Sequence, residues 1–260
     1  MTTISKPFIA AGLVAAAACA GASRTPGAAP APAAAATAPA SANVVPGGVR
    51  WFRTSAEQKA IYLEVYRAAG AALGGLSAGK PAGSWAVIMD ADETVIDNSL
   101  FEQEIAQAGK AYSEAAWSAW VERAAAPAVA GAVEFTKRVQ ELGGRVVIVT
   151  NRSAQGCDAT RRNLQAASIA TDLVVCKGAD GADDKNPRFE AVAQGRAPST
   201  LPPLSVVMWV GDNIQDFPRA TQALRSAAGT DPALARFGVS WFILPNPMYG
   251  SWEKNQLPPG

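Results

Sequence analysis

The stretch Ala86 to Ser99 reads AVIMDADETVIDNS, and its interpretation decides the fold. Residues 85–89, WAVIM, form an unbroken apolar run of the kind found in a strand buried on both faces. Asp90, Asp92 and Glu93 follow almost at once. A strand that simply reaches water tolerates acids, and that reading covers each of them singly. Crowding three carboxylic acids at one strand end is costly, and it raises a second reading in which they share a cation and act on a ligand.

Outward from this stretch the same pattern repeats. Apolar runs recur at RVVIV (145–149), DLVVC (172–176), SVVMWV (205–210) and VSWFIL (239–244). Helical patterns lie between them, as in GAVEFTKRVQELGG (131–144) and GCDATRRNLQAAS (156–168). Apolar strands alternating with helices predict an α/β fold, a Rossmann-like parallel sheet with helices on both faces. The first gap is longer. Its segment YSEAAWSAWVERAAA (112–126) is helical in pattern, so residues 98–126 predict a small helical cap over one end of the sheet. Before the first strand, Thr54 to Ala78 reads as a helix with a Thr54/Glu57 capping box and a core face of Ile61, Val65, Ala69 and Leu73. The following GGLSAGK (74–80) resembles a phosphate-binding loop, but it follows a helix, precedes a strand and continues into Pro81, so it is rejected as one.

Composition narrows the chemistry. With 260 residues and 49 % apolar content the chain can bury a sizeable core, and a formal net charge of +1 without a long basic run excludes a nucleic-acid polymer as partner. There is no histidine. Histidine-dependent triads, histidine phosphatases and histidine-ligated metal sites are thereby excluded, leaving carboxylates, hydroxyls, lysine or a hard metal ion.

At the N-terminus, Lys6 precedes FIAAGLVAAAACAGAS (8–23), which has the order of an export signal and is too short to span a membrane. Residues 1–22 are therefore expected to be an export signal. AAAC (16–19) resembles the lipobox of bacterial lipoproteins, which would make Cys19 lipid-modified, with ordinary cleavage near Ala20 to Ala22 as the alternative. Residues 23–46, rich in Ala and Pro, predict a disordered tether, and 47–260 the folded domain. An exported, periplasmic or outer-membrane-anchored protein results. Cys157 and Cys176 are then either a disulfide that staples a helix to the next strand or two buried thiols.

Ligands of open α/β sheets bind at the carboxyl ends of the strands. Asp90 follows the first strand, Thr150 and Asn151 the second, Lys185 the third after a loop, and Asp212 with Asp216 the fourth. The fold would gather all of them at one edge. Two like charges about 4 Å apart cost roughly 4 kcal/mol at an effective dielectric near 20, so the aspartates need protons or a cation. Oxygen donors without His or Cys suit a hard ion such as Mg²⁺, while a hydroxyl at Thr150 and an ammonium at Lys185 suit a phosphoryl group.

In order, DADET, VTNR, KNPRF and GDNIQDF resemble the four motifs of the haloacid dehalogenase superfamily. With DADETVIDNS, WSAWVERA, GAVEF and the terminal FILPNPMYGSWE, the chain is similar to the class C bacterial acid phosphatases of the lipoprotein-e type, exported 5'-nucleotidases. The likeness covers about residues 85–253. Ala130 departs from it, standing where that family often has proline before GAVEF. The resemblance implies a haloacid dehalogenase-like fold and an Mg²⁺-dependent phosphomonoesterase. Asp90 would be the nucleophile that forms an aspartyl phosphate, and Asp92 the acid that protonates the leaving oxygen and then activates water. Mg²⁺ would be held by Asp90, the Asp92 carbonyl and Asp212, with Asp216 as ligand or supporting partner. Thr150, Asn151 and Lys185 would bind phosphate, with Lys185 favoured over Lys177 because Arg188 and Phe189 follow it. Thr94 and Asn151 would orient loops. Trp117 and Tyr249, with Phe101 nearby, would hold a nucleoside base or an aryl group, while Trp120 packs the cap.

Several expectations stay open. Arg152 and Arg188 read as ion-pair formers, and Glu93 should turn outward or brace its loop. A phosphotransferase of the same superfamily, or a surface lipoprotein that binds nucleotides without turnover, are the alternative functions. Small phosphomonoesters are the expected partners, with a membrane through Cys19 if it is modified, and homo-oligomer formation is left open.

Overall fold

The computed structural model describes residues 44–257. The expected export signal (1–22), with Cys19, and the expected tether up to residue 43 lie outside the described residues. Five strands, β1 (Trp85–Met89), β2 (Arg145–Ser153), β3 (Leu173–Lys177), β4 (Ser205–Gly211) and β5 (Trp241–Ile243), form one sheet in the order β3-β2-β1-β4-β5. All neighbouring pairs are parallel. All five residues of the central β1 are buried. Because side chains alternate between the faces of a strand, Val87, Met89 and Ile148 join one core while Ile88, Val147 and Val149 join the other. Both faces need apolar side chains, which is why the strands are legible as unbroken apolar runs.

Helices complete the two layers. Leu73 from α2 (Ala56–Leu76), Phe135 from α5 (Ala132–Glu141) and Leu164 from α6 (Cys157–Ala166) pack on the first face, and Phe189 and Val192 from α7 (Asn186–Ala193) on the second. The long gap after β1 contributes α3 (Ser99–Gln107) and α4 (Glu114–Arg123). Ser113 caps α4 by accepting from the Ala116 N–H at 3.2 Å. The two ends of this insertion are tied together where the Asp97 N–H donates to the Pro127 carbonyl at 2.8 Å and the Val129 N–H to the Val95 carbonyl at 3.1 Å.

Three local readings are corrected. A separate helix, α1 (Gly47–Thr54), precedes α2, and the Thr54 hydroxyl donates to the Arg50 carbonyl at 2.7 Å within it. Ser55 therefore caps α2, accepting from Gln58 N at 3.1 Å. The buried face of α2 is Tyr62, Tyr66, Ala69 and Leu73, while Ile61 is exposed. Tyrosine can displace isoleucine from a core face when its hydroxyl finds an acceptor there, as both tyrosines do. Cys157 and Cys176 are disulfide-bonded, with Cα atoms 6.0 Å apart, joining the first turn of α6 to β3.

Candidate active site

The site is built on the loop from Asp90 to Asn98. The Asp90 N–H donates to the Val210 carbonyl at 3.0 Å, so this loop starts locked to β4. It then tightens, with the Val95 and Ile96 N–H groups both donating to the Ala91 carbonyl. Glu93 takes a left-handed conformation at φ 51°, an unfavourable state for a side-chain-bearing residue that needs support. The support is local. Glu93 is fully buried, its Oε1 accepts from the Asn98 N–H at 2.6 Å, and its carbonyl accepts from the Tyr62 hydroxyl at 2.6 Å. The Tyr66 hydroxyl donates to the next carbonyl, that of Thr94. Of the two expectations for Glu93 the structure takes bracing. Burial, with Asp92 and Asp212 adding to it, pushes its carboxyl well above the ordinary glutamate range.

Asp90, Asp212 and Asp216 each offer a carboxylate oxygen within 4.8 Å of the others. Lys185, 5 % exposed, donates to Asp90 Oδ1 at 2.5 Å and Asp216 Oδ1 at 2.7 Å. Burial works against its charge, but Asp216 and then Asp90 hold it above the ordinary lysine value. Burial, partly opposed by Lys185 and reinforced by Asp216 and Asp92, raises Asp90 to about 7. Asp212 is also raised well above its usual value, by burial first and then by Asp216 and Asp90. With all three carboxylates ionised, one ammonium leaves negative charge in excess, and the donors are all oxygen. These residues fit a hard divalent cation. Asp212 is oriented for such a role by Thr94 Oγ1 at 3.0 Å and Asn246 Nδ2 at 2.9 Å. Gly211 is required beside them, since a Cβ there would lie 2.3 Å from that of Asp216.

Above the aspartates lies a cavity of about 640 Å³ whose lining includes Asp90, Asp92, Asp212, Tyr112, Trp117 and Tyr249. Trp117 thus comes from α4 of the insertion, and Tyr249 from the loop after β5. Phe101 does not line the cavity. It is buried, with its ring edge-on to Trp117 at 5.2 Å between centroids, so it backs the tryptophan from within the core. Trp120 is buried in the same cluster and donates its Nε1 to Asn98 Oδ1 at 2.8 Å.

The second and third motifs interlock. Thr150 is fully buried and its Oγ1 accepts from the Arg152 N–H at 3.1 Å. Exposed Asn151 lines the cavity, donating to the Asp183 carbonyl at 3.0 Å and accepting from Arg188 Nη2 at 2.5 Å. Lys177 pairs with Asp183 at 3.1 Å, so Lys185 is the lysine that reaches Asp90. Arg152 is an ion-pair former, as expected, but its partner is Asp92, at 2.7 Å. The residues that sequence reasoning missed are Asn98, Asn246, Tyr62 and Tyr66. Asn98 stood in the quoted stretch itself without a pattern to mark it, whereas the alternation within β2 puts Arg152 on the same side as Thr150, a signal that could have found its inward placement.

Comparison with known proteins bears on the family and the fold. Residues 13–252 match the family described as HAD superfamily, subfamily IIIB (acid phosphatase). Two structures of the class C acid phosphatase from Bacillus anthracis, one with tungstate bound, are similar at 30 % and 31 % identity with a TM-score of 0.69. Each comparison covers 79 % of this chain and 85 % of that one. Acid phosphatase 1 of Solanum lycopersicum is 24 % identical over 163 residues, which is 62 % of this chain and 57 % of that relative, so the chain spans little more than half of its length. With a family match running from residue 13 to residue 252, the chain belongs to the acid phosphatases of HAD subfamily IIIB.

Proposed function

We propose that this protein is an Mg²⁺-dependent phosphomonoesterase that releases phosphate from 5'-nucleotides and related esters through an aspartyl phosphate. The observation that carries the reading is the placement of Asp90 and Asp92 together in one cavity with the aromatic rings of Tyr112, Trp117 and Tyr249. Stacking on such rings contributes about 1–3 kcal/mol per base without selecting among bases, which suits broad specificity.

The geometry supports the roles that the resemblance implies. Lys185 orients the Asp90 carboxylate through Oδ1, and an ammonium has three donors, so one remains for a phosphoryl oxygen. Asp90 attacks phosphorus, the ester bond breaks with its electron pair on the leaving oxygen, and Asp92 supplies the proton to that oxygen. Asp92 then takes a proton from water as the water attacks phosphorus, and phosphate leaves with Asp90 restored. Asp90, Asp212 and Asp216 would hold the divalent cation, together with the Asp92 carbonyl. When bound, the cation supplies charge neutralisation to nucleophile and phosphate alike. Export and lipid attachment through Cys19 form part of the proposal, and the Cys157–Cys176 disulfide supports an oxidising location.

The test is phosphate release from AMP, p-nitrophenyl phosphate and glycerol phosphate by the purified chain, with Mg²⁺ or EDTA, alongside Asp90→Asn. Release that needs Mg²⁺ and is lost in the variant is expected, with the lowest KM for AMP. Absence of release from all three esters between acid and alkaline pH would overturn the reading.

A further inference from the structure

Asp92 is held in an asymmetric way. Two hydrogen bonds converge on its Oδ1, from Arg152 Nε at 2.9 Å and Asn98 Nδ2 at 2.8 Å, and Arg152 Nη2 lies 2.7 Å away as an ion-pair contact. None of these donors is directed at Oδ2. The guanidinium is itself fixed from several sides. It is 1 % exposed, its Nη2 also donates to Asn98 Oδ1 at 2.9 Å, and its Nη1 lies 3.5 Å from Thr160 Oγ1. Its face lies over the Trp117 ring, 5.4 Å from the centroid. Asn98 is fixed in turn, because its Oδ1 accepts from Trp120 Nε1 and its N–H donates to Glu93.

From this arrangement we infer that Arg152 is the positioning residue for proton delivery, pinning Asp92 by Oδ1 so that Oδ2 carries the proton to the leaving oxygen. The inference rests on the acid role proposed above for Asp92. As the ester bond to phosphorus breaks, its electron pair goes to the leaving oxygen, which takes the proton from Oδ2. The charge left on Asp92 is met by a guanidinium already in contact and in place, so little reorganisation is needed at that moment. A guanidinium suits this place because one rigid plane donates through Nε to Asp92 Oδ1 and through Nη2 to Asn98 Oδ1, a fixed spread of donors that a lysine ammonium lacks. The same group backs Trp117 and thereby ties the wall of the cavity on α4 to the acid.

Leaving-group dependence separates positioning from a general structural role. An activated aryl ester departs without help, whereas an alkyl ester needs the proton. The value of kcat/KM, which reports the steps up to the first irreversible one, is measured with Mg²⁺ for glycerol phosphate and for 2,4-dinitrophenyl phosphate. Arg152→Gln should lose roughly 100-fold on the alkyl ester and only a few-fold on the aryl ester, within the span general acid catalysis provides. Arg152→Lys and Asn98→Ser, which disturb the core less, should show the same sign at about 10-fold on the alkyl ester. Asp92→Asn is the reference. If it also discriminates between the esters while the Arg152 and Asn98 variants lose equally on both, the inference is overturned and the acid role stands. If Asp92→Asn itself loses equally on both, the acid role fails, and the inference with it.

Discussion

Glu93 shows how a single residue can look catalytic and act as a brace. It sits between Asp92 and Thr94 in the motif, yet it is fully buried and its carboxyl accepts from the Asn98 backbone N–H while its own φ is positive. Removing an acceptor from a buried N–H costs about 1–3 kcal/mol, whereas an isosteric amide still accepts through its carbonyl. Glu93→Ala should therefore destabilise the protein by about 1–3 kcal/mol in urea unfolding, and Glu93→Gln by less than about 1 kcal/mol. Equal losses in the two variants would show that the carboxylate charge, rather than the hydrogen bond, is what the loop requires. Legibility at this scale was mixed. Asp90 and Asp92 could be placed on one loop from the motif, because two acids two residues apart at a strand end can both face the same cavity. Asn98, which holds Asp92, could not, because asparagine is equally at home in any turn.

Elements bring these residues into register. Tyr62 and Tyr66, one turn apart on α2, send their hydroxyls to consecutive carbonyls of the Asp90 loop, so a helix before the sheet carries part of the site's precision. On the other side of β1, the disulfide joins α6 to β3 next to residues that line the cavity, Gly156 and Lys177. Closing a loop of 19 residues contributes about 3 kcal/mol in the chain-entropy view. The double variant Cys157→Ser/Cys176→Ser should lose about 2–4 kcal/mol, with hydrogen exchange rising first in α6 and β3. An unchanged unfolding midpoint would mean that this stretch is already ordered without the bond. The α2 boundary and its buried face were misread from sequence for a physical reason. Periodicity ranks side chains by apolarity, and a tyrosine whose hydroxyl meets a buried carbonyl outranks an isoleucine only once that carbonyl is in place.

For the whole molecule the central fact is a cluster of acids at the carboxyl edge of a parallel sheet. Without a cation, burial raises Asp90 to about 7 and Asp212 in the same direction. Between the ordinary carboxylate range and about pH 7 the folded chain therefore holds protons that the unfolded chain has released, and stability falls as pH rises through that interval. A bound divalent cation removes the penalty on the ionised acids. Melting temperatures in EDTA should fall from acidic toward neutral pH, and added Mg²⁺ should raise them more at neutral than at acidic pH. A melting temperature in EDTA that climbs across the same interval would contradict the assignment of these buried carboxylates. The linkage also connects stability with ligand binding, since the negative charge that destabilises the cluster is the charge a bound divalent cation would neutralise.

By itself the sequence determined the sheet, its strands and the motif residues at their ends, because a strand buried on both faces must be apolar throughout and its polar end has one way to face a ligand. The absence of histidine limited the chemistry before any fold was known. The tertiary structure decided what no local pattern contains. It joined Cys157 to Cys176, placed Phe101 behind Trp117 and turned Arg152 onto Asp92. Each of these is a contact between residues far apart in the chain. Such contacts are selected by the packing of the whole and by the cost of leaving a buried charge or donor unpaired, which is settled only when every partner is in place.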